Sequence, residues 1–191
     1  MTAWSKPPRP STIAALGARG NYVPVLPQRV VLDTNILVRG LINRRCDSGR
    51  ILRACEERKI IVLLSVALIS EYRFILNESN LKARYPELET DKVKTAIERL
   101  MYVGEVLRTV RARFEFFRDR KDEKLITLAI AGQATHLITT DHDLLDLPSG
   151  VNDAAKRFRQ RLPAIEVLMP DQFVRHYGRE LGIERPDTLQ V

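Results

Sequence analysis

Four acidic side chains stand where apolar ones would be expected, and their placement is the strongest chemical signal in the chain. In "VVLDTNIL", Val30, Val31 and Leu32 suit a buried strand, yet the run ends on Asp33. "HLITTDHDLL" does the same, ending an apolar strand at Asp141 with Asp143 two residues on. In an open parallel sheet, ligands collect beyond the carboxyl ends of the strands, which is where both acids fall. Either alone could be an N-cap of the following helix. Two helical acids weigh against that. At about 100° per residue, Glu71 lies between Ala67 and Ile75 with Phe74 and Leu68 alongside, while Ser70 and Arg73 point elsewhere. Asp122 shares the stripe of Leu125, Ile126 and Ala129, although the helix dipole also favours an acid in a first turn. Asp119, in the charged loop before this helix, and Glu123, rotated toward Ile130, are its rivals. A carboxylate buried without a partner costs several kcal/mol or takes up a proton, so Glu71 calls for a cation, either an arginine or a metal.

One arrangement accounts for all four acids: they converge at the carboxyl edge of a sheet, and a divalent ion offsets their repulsion. Hard cations such as Mg²⁺ and Mn²⁺ prefer carboxylate oxygen and water. His136, His142 and His176 are scattered, and Cys46 and Cys55 fit no zinc spacing or disulfide scaffold, so the cysteines read as reduced thiols. An ion held by carboxylates that keeps some of its waters can activate water and neutralise a phosphodiester, above all when two ions act together. The chemistry expected is phosphodiester hydrolysis.

The elements that must position these acids follow from hydrophobic periodicity. "RVVLD" and "IIVLL" are continuous apolar strands, "NILVRGLIN" starts a helix, and "SGRILRACEERK" is amphipathic, with Ile51, Leu52 and Cys55 on one side. Ser65 is a good N-cap for "VALISEYRFIL". "NESNLKARYPEL" is a connection. The spacing then predicts a helix over 90–109, with Val93, Ala96, Ile97, Leu100, Gly104 and Leu107 inward. "RDRKDEKLITLAIAG" is a helix closed by Gly132 as its C′ residue, and the strand of "AIEVLMP" precedes the helix "DQFVRHYGREL". Buried strands alternating with helices imply a parallel sheet covered on both faces.

With 191 residues the chain has room for one ordinary domain with tails. Residues 1–28 hold five prolines, three basic residues and no acid, and are expected to form an N-terminal arm, with a domain over 29–180 and a tail over 181–191. A charged fraction of 29% beside 45% hydrophobic residues suits a soluble protein, and no apolar run approaches the ~18 residues of a membrane helix. The first residues lack the apolar stretch of a secretory signal, so a cytoplasmic location is expected. A net charge of +7 favours anionic partners but is equally that of an ordinary basic protein.

These motifs resemble the PIN-domain nucleases. "VVLDTNIL" looks like the opening signature of the family, "SVALISEY" like the helix carrying its second acid, and "RDRKDEKLITLAIAGQATHLITTDHDLL" like its third and fourth acidic blocks, over roughly residues 29–180 in all. The resemblance implies a three-layer α/β/α sandwich with a central, mainly parallel sheet, and Mg²⁺- or Mn²⁺-dependent ribonuclease activity on single-stranded RNA. It assigns Asp33, Glu71, Asp122 and Asp141 as catalytic and metal-binding residues and Asp143 as a further ligand, with Thr34 and Asn35 orienting carboxylates or water behind them. It also implies the toxin of a toxin–antitoxin pair, a homodimer blocked by a small cognate antitoxin. The long arm, the residues 149–163 and the basic character of "RDRKDEK" depart from a minimal toxin of this kind.

Thr139 and Thr140 read as the end of their strand. "VRARFEFFRDRK" and "KRFRQR" could track an RNA backbone with Phe114, Phe116 or Phe117 stacking on bases, although core packing is the better reading for the aromatics. A catalytically weak nucleic-acid or protein-binding module of the same fold is the alternative function. Four filled acid positions favour the enzyme. An aspartyl phosphatase ranks last, since a second Asp two residues after the first is wanted and Asn35 stands there.

Overall fold

The computed structural model of the chain describes residues 13–16, 22–25, 27–116 and 119–185. Within the expected arm, β1 (Ile13–Leu16) and β2 (Tyr22–Val25) pair antiparallel, with Ile13 opposite Val25. The proline-rich composition gave no sign of these strands. The rest of the arm up to Leu26 lies outside the described residues, as do residues 186–191 of the tail.

The main sheet comprises β3 (Arg29–Leu32), β4 (Ile61–Ser65), β5 (Glu105–Leu107), β6 (His136–Ile138) and β7 (Glu166–Leu168). Their order is β5-β4-β3-β6-β7, and every pair is parallel. Successive strand residues point to opposite faces, so the full burial of Val30, Val31 and Leu32 requires cover on both sides. That cover comes from α1 (Thr34–Ile42), α2 (Asp47–Glu56), α3 (Val66–Leu76), α4 (Ser79–Arg84), α5 (Thr90–Val103), α6 (Glu123–Ala131), α7 (His142–Leu145), α8 (Asp153–Arg161) and α9 (Pro170–Leu181). The fold is the three-layer α/β/α sandwich that the alternating pattern implies. Its core joins Leu37, Ile51, Leu63, Leu64, Leu128, Leu137 and Phe173 into one apolar cluster.

Three stretches differ from the reading of the sequence. The helix expected over 90–109 stops at Val103, and Glu105–Leu107 becomes an edge strand against Leu63–Ser65. Gly104 is the reason: a Cβ there would lie 2.6 Å from Val62 Cγ1 and 2.7 Å from the Val62 carbonyl oxygen, so only glycine lets the chain drop onto β4. The connection over 77–88 contains the short helix α4. Gly132 is the C-cap of α6 with φ −91, and Gln133 takes the left-handed conformation expected of a C′ residue, with φ 50.

Packing continues past residue 180. Ile183 is buried, Arg50 donates from Nη1 to the Glu184 carbonyl at 2.6 Å, and Arg185 pairs with Asp47. The segment 149–163 is likewise built in. Phe158 of α8 meets Phe114 edge to face at 6.4 Å, and Arg159 Nη1 donates to the carbonyl oxygens of Pro148 and Gly150. Among the described residues no helix is long and apolar enough to cross a membrane.

Candidate active site at the carboxyl edge of the sheet

The strand order reverses at β3, which has β4 on one side and β6 on the other, so the carboxyl ends of β3 and β6 meet at a topological switch point. Leu32 stands opposite Ile138, and the Asp33 N–H donates to the Ile138 carbonyl oxygen at 3.0 Å. The register thus sets Asp33 beside Thr139. Asp33 is only 7% exposed; one carboxylate oxygen accepts the Asn35 N–H at 3.4 Å, the other the Thr139 hydroxyl at 2.7 Å. Burial raises its pKa, the two hydrogen bonds oppose that rise, and the fields of Asp141 and Glu71 add to it.

Thr139 does more than finish the strand, contrary to the sequence reading. Its fully buried hydroxyl donates to Asp33 and accepts the Asp141 N–H at 2.9 Å, tying two acids together through one atom. A pair of threonines ahead of an acid was the available signal, but strand propensity explains such a pair equally well. Thr139→Val keeps the shape and removes both bonds. Equilibrium denaturation near neutral pH should then show a loss of about 1–3 kcal/mol.

Glu71 has the cation its position demands. Oε1 accepts the Thr34 hydroxyl at 2.6 Å, and Oε2 pairs with the Lys124 ammonium of α6. The partner is a lysine rather than an arginine, and it lies in the block whose basic residues looked out of place. The stripe around Glu71 is less buried than its composition suggests. Val66 and Phe74 are 58% and 68% exposed, while the core face of α3 is Leu68, Ile69, Tyr72 and Leu76. Tyr72, which sequence reasoning passed over, donates its buried hydroxyl to the Leu32 carbonyl at 2.6 Å and fixes the end of β3 just before Asp33.

Asp122 holds the N-cap position of α6 without capping it by a side-chain bond. Its Oδ2 is buried with no hydrogen-bond partner among the described residues. Burial, then the charges of Asp141, Asp119 and Asp33, push its pKa up to about 7, with Lys124 acting the other way. The rivals separate. Glu123 is turned away by accepting the Phe116 N–H at 2.9 Å, whereas Asp119 stays near enough to act on Asp122 while accepting the Lys121 N–H at 2.7 Å.

Asp141 caps α7 by accepting the Asp143 N–H at 2.7 Å, and Asp143 is half-buried beside it. The Asn35 side chain is exposed and makes no hydrogen bond to a carboxylate among the described residues, where its backbone N–H serves Asp33. His136 packs edge to face on Phe173 and Tyr177, far along β6 from this edge. Phe114 and Phe116 are core residues and cannot stack on bases, and Phe117 lies outside the described residues. In "KRFRQR", Arg157 and Arg159 are spent on loop carbonyl oxygens rather than free for a backbone of RNA.

The acids therefore share one edge and feel one another, but they do not form a finished ligand set. Among the described residues, no three His, Cys, Asp or Glu side chains are placed to hold an ion jointly. Glu71 is drawn to Lys124, and like charges repel where no cation stands between them. The donors still suit a hard divalent cation, being oxygen only, with one buried carboxylate oxygen lacking a partner among the described residues.

A family model described as PIN domain matches residues 29–143, more than half of the chain. An uncharacterized protein of Methanocaldococcus jannaschii is 29% identical over 152 residues, which cover 79% of this chain and 92% of that protein. No solved structure matches the chain.

Proposed function

Because the chain belongs to the PIN domain family, whose members are generally nucleases, we propose that it is a metal-dependent ribonuclease that hydrolyses phosphodiester bonds in single-stranded RNA. The observation that carries this reading is Asp122, a carboxylate with a buried, unpartnered oxygen and a pKa raised to about 7 by burial and three neighbouring acids. Such a group favours either a proton or a cation beside it. Asp33, Asp122 and Asp141, with Glu71 and Asp143 at the margin, would hold Mg²⁺ or Mn²⁺. The ion would supply charge neutralisation at the phosphodiester and activation of the attacking water. The protein's own part is orientation. Thr139 and the Asn35 N–H fix the Asp33 carboxylate, the Asp143 N–H fixes Asp141, and Thr34 with Lys124 holds Glu71.

The resemblance carries the biological role: the toxin of a toxin–antitoxin pair, a cytoplasmic homodimer restrained by a small antitoxin. Phe74, exposed on α3, supports a protein contact on that side. One observation favours the alternative, a weak binding module: the Lys124 ammonium on Glu71 supplies positive charge that a metal would otherwise bring. Incubation of the purified protein with single-stranded RNA and either Mg²⁺, Mn²⁺ or a chelator separates the two. Cleavage that needs the metal is expected, and binding without cleavage in every metal would replace the enzyme with the module.

A further inference from the structure

Beside the acidic edge, on its β5 side, a pocket of about 200 Å³ opens between the start of α3, the end of β5 and α6. Its walls are of two kinds. Val66, Ala67, Leu107 and Val110 give an apolar surface, and Lys124 and Arg108 bring two positive charges. Val66 is 58% exposed, an unusual state for a valine at the start of a core helix, and here it forms part of the pocket wall. Arg108 is exposed and has no ion pair or hydrogen bond among the described residues. Ser65 accepts the Leu68 N–H at 3.2 Å through Oγ, which leaves its hydroxyl proton to donate.

Lys124 joins this pocket to the acids. Its ammonium lies on Glu71 while the residue also lines the pocket, so one side chain borders both places. The volume is below the ~300–1,000 Å³ of sites for drug-sized ligands and suits one small unit of a polymer. Apolar surface to take a base or ribose, with two cations to take a phosphate, is the chemistry of a single nucleotide.

We propose that this pocket seats the nucleotide adjoining the scissile phosphodiester, with its phosphate between Arg108 and Lys124 and its base or ribose on Val66, Ala67 and Leu107. The inference rests on the ribonuclease reading, because the neighbouring acids mark where the cut falls. It also orients the substrate: the RNA strand crosses the carboxyl edge from the β5 side toward β3 and β6. Lys124 then acts in two roles, as counter-ion to Glu71 in the free protein and as a phosphate contact in the complex.

The test measures binding of a short single-stranded RNA by fluorescence anisotropy, in chelator and over a series of salt concentrations. Arg108→Gln should weaken binding several-fold and lower the slope of log Kd against log salt by about 0.7, the value of one lost phosphate contact on a single strand. Ala67→Leu, at an exposed position, should also weaken binding but leave the slope unchanged, because it fills the apolar wall and removes no charge. Arg58→Gln removes the same charge before β4, at the opposite edge of the sheet, and should change neither quantity. Equal losses in the Arg108 and Arg58 variants, or unaltered binding by Arg108→Gln, would overturn the subsite. Cleavage with Mg²⁺ or Mn²⁺ is scored separately. If the Arg108 and Ala67 effects appear but the parent cleaves nothing in either metal, the nuclease reading falls and the pocket stands as a nucleotide-binding site without a scissile bond beside it.

Discussion

On the proposed ribonuclease reading, Asp122→Asn is expected to lower the rate of single-stranded RNA hydrolysis by about 10³-fold, with the far-UV spectrum and the denaturation transition remaining those of a folded protein. The substitution keeps the volume and removes the charge. A metal-binding carboxylate is worth several kcal/mol of transition-state stabilisation, and each 1.4 kcal/mol corresponds to roughly tenfold in rate. A second readout does not depend on activity. Asp122 binds its proton more tightly in the folded chain, where its pKa is raised from the ordinary 3.8 to about 7. The stability linked to this group is therefore complete below the unfolded pKa and is lost as the pH rises through the folded one. In chelator, the melting temperature of the parent should fall between pH 4 and pH 7 more steeply than that of Asp122→Asn, the difference levelling off above pH 7. A variant that cleaves like its parent would move the third acid to Asp119, whose charge already acts on Asp122.

Millimolar Mg²⁺ or Mn²⁺ is expected to raise the melting temperature of the parent, and Asp33→Asn to remove most of the rise. At a hundredfold excess over Kd, a ligand that binds only the folded state adds about 2.7 kcal/mol. For a chain of this size that is about 5–10 °C. Asp33 is the most buried of the acids, and its pKa is raised chiefly by burial, so its ionised form is costly until a cation arrives. The variant without metal should melt close to the parent at neutral pH, because Asn keeps the 2.7 Å bond from Thr139, loses only the long 3.4 Å bond from the Asn35 N–H, and no longer carries a buried charge. An equal metal response in parent and variant would take Asp33 out of the ligand set.

The fold was legible because each strand of its sheet's centre is an uninterrupted apolar run. "RVVL" and "IVLLS" could be placed by periodicity alone, and the ends of β3 and β6 located Asp33 and Asp141. Edge elements were harder. Glu105–Leu107 continues the hydrophobic period of α5, and only the contact of Gly104 with Val62 shows why a strand begins there. At the site, the acids could be named from their conflict with an apolar setting, but their partners could not. Thr139 serves Asp33 from 106 residues away, and Lys124 pairs with Glu71 across two helices. Such pairings depend on register and helix rotation, which a single sequence does not encode locally. At Asn35 the sequence pointed to the side chain, whereas the bond to Asp33 comes from the backbone N–H and the side chain is exposed.

The parallel pairing of β3 with β6 also sets a clock on the ribosome. Asp33 emerges early, while the hydroxyl that orients it lies 106 residues downstream and takes about 5–20 s longer to be synthesised. Until then the nascent polypeptide carries Asp33 with neither the strand that pairs beside it nor the hydroxyl that orients its carboxylate.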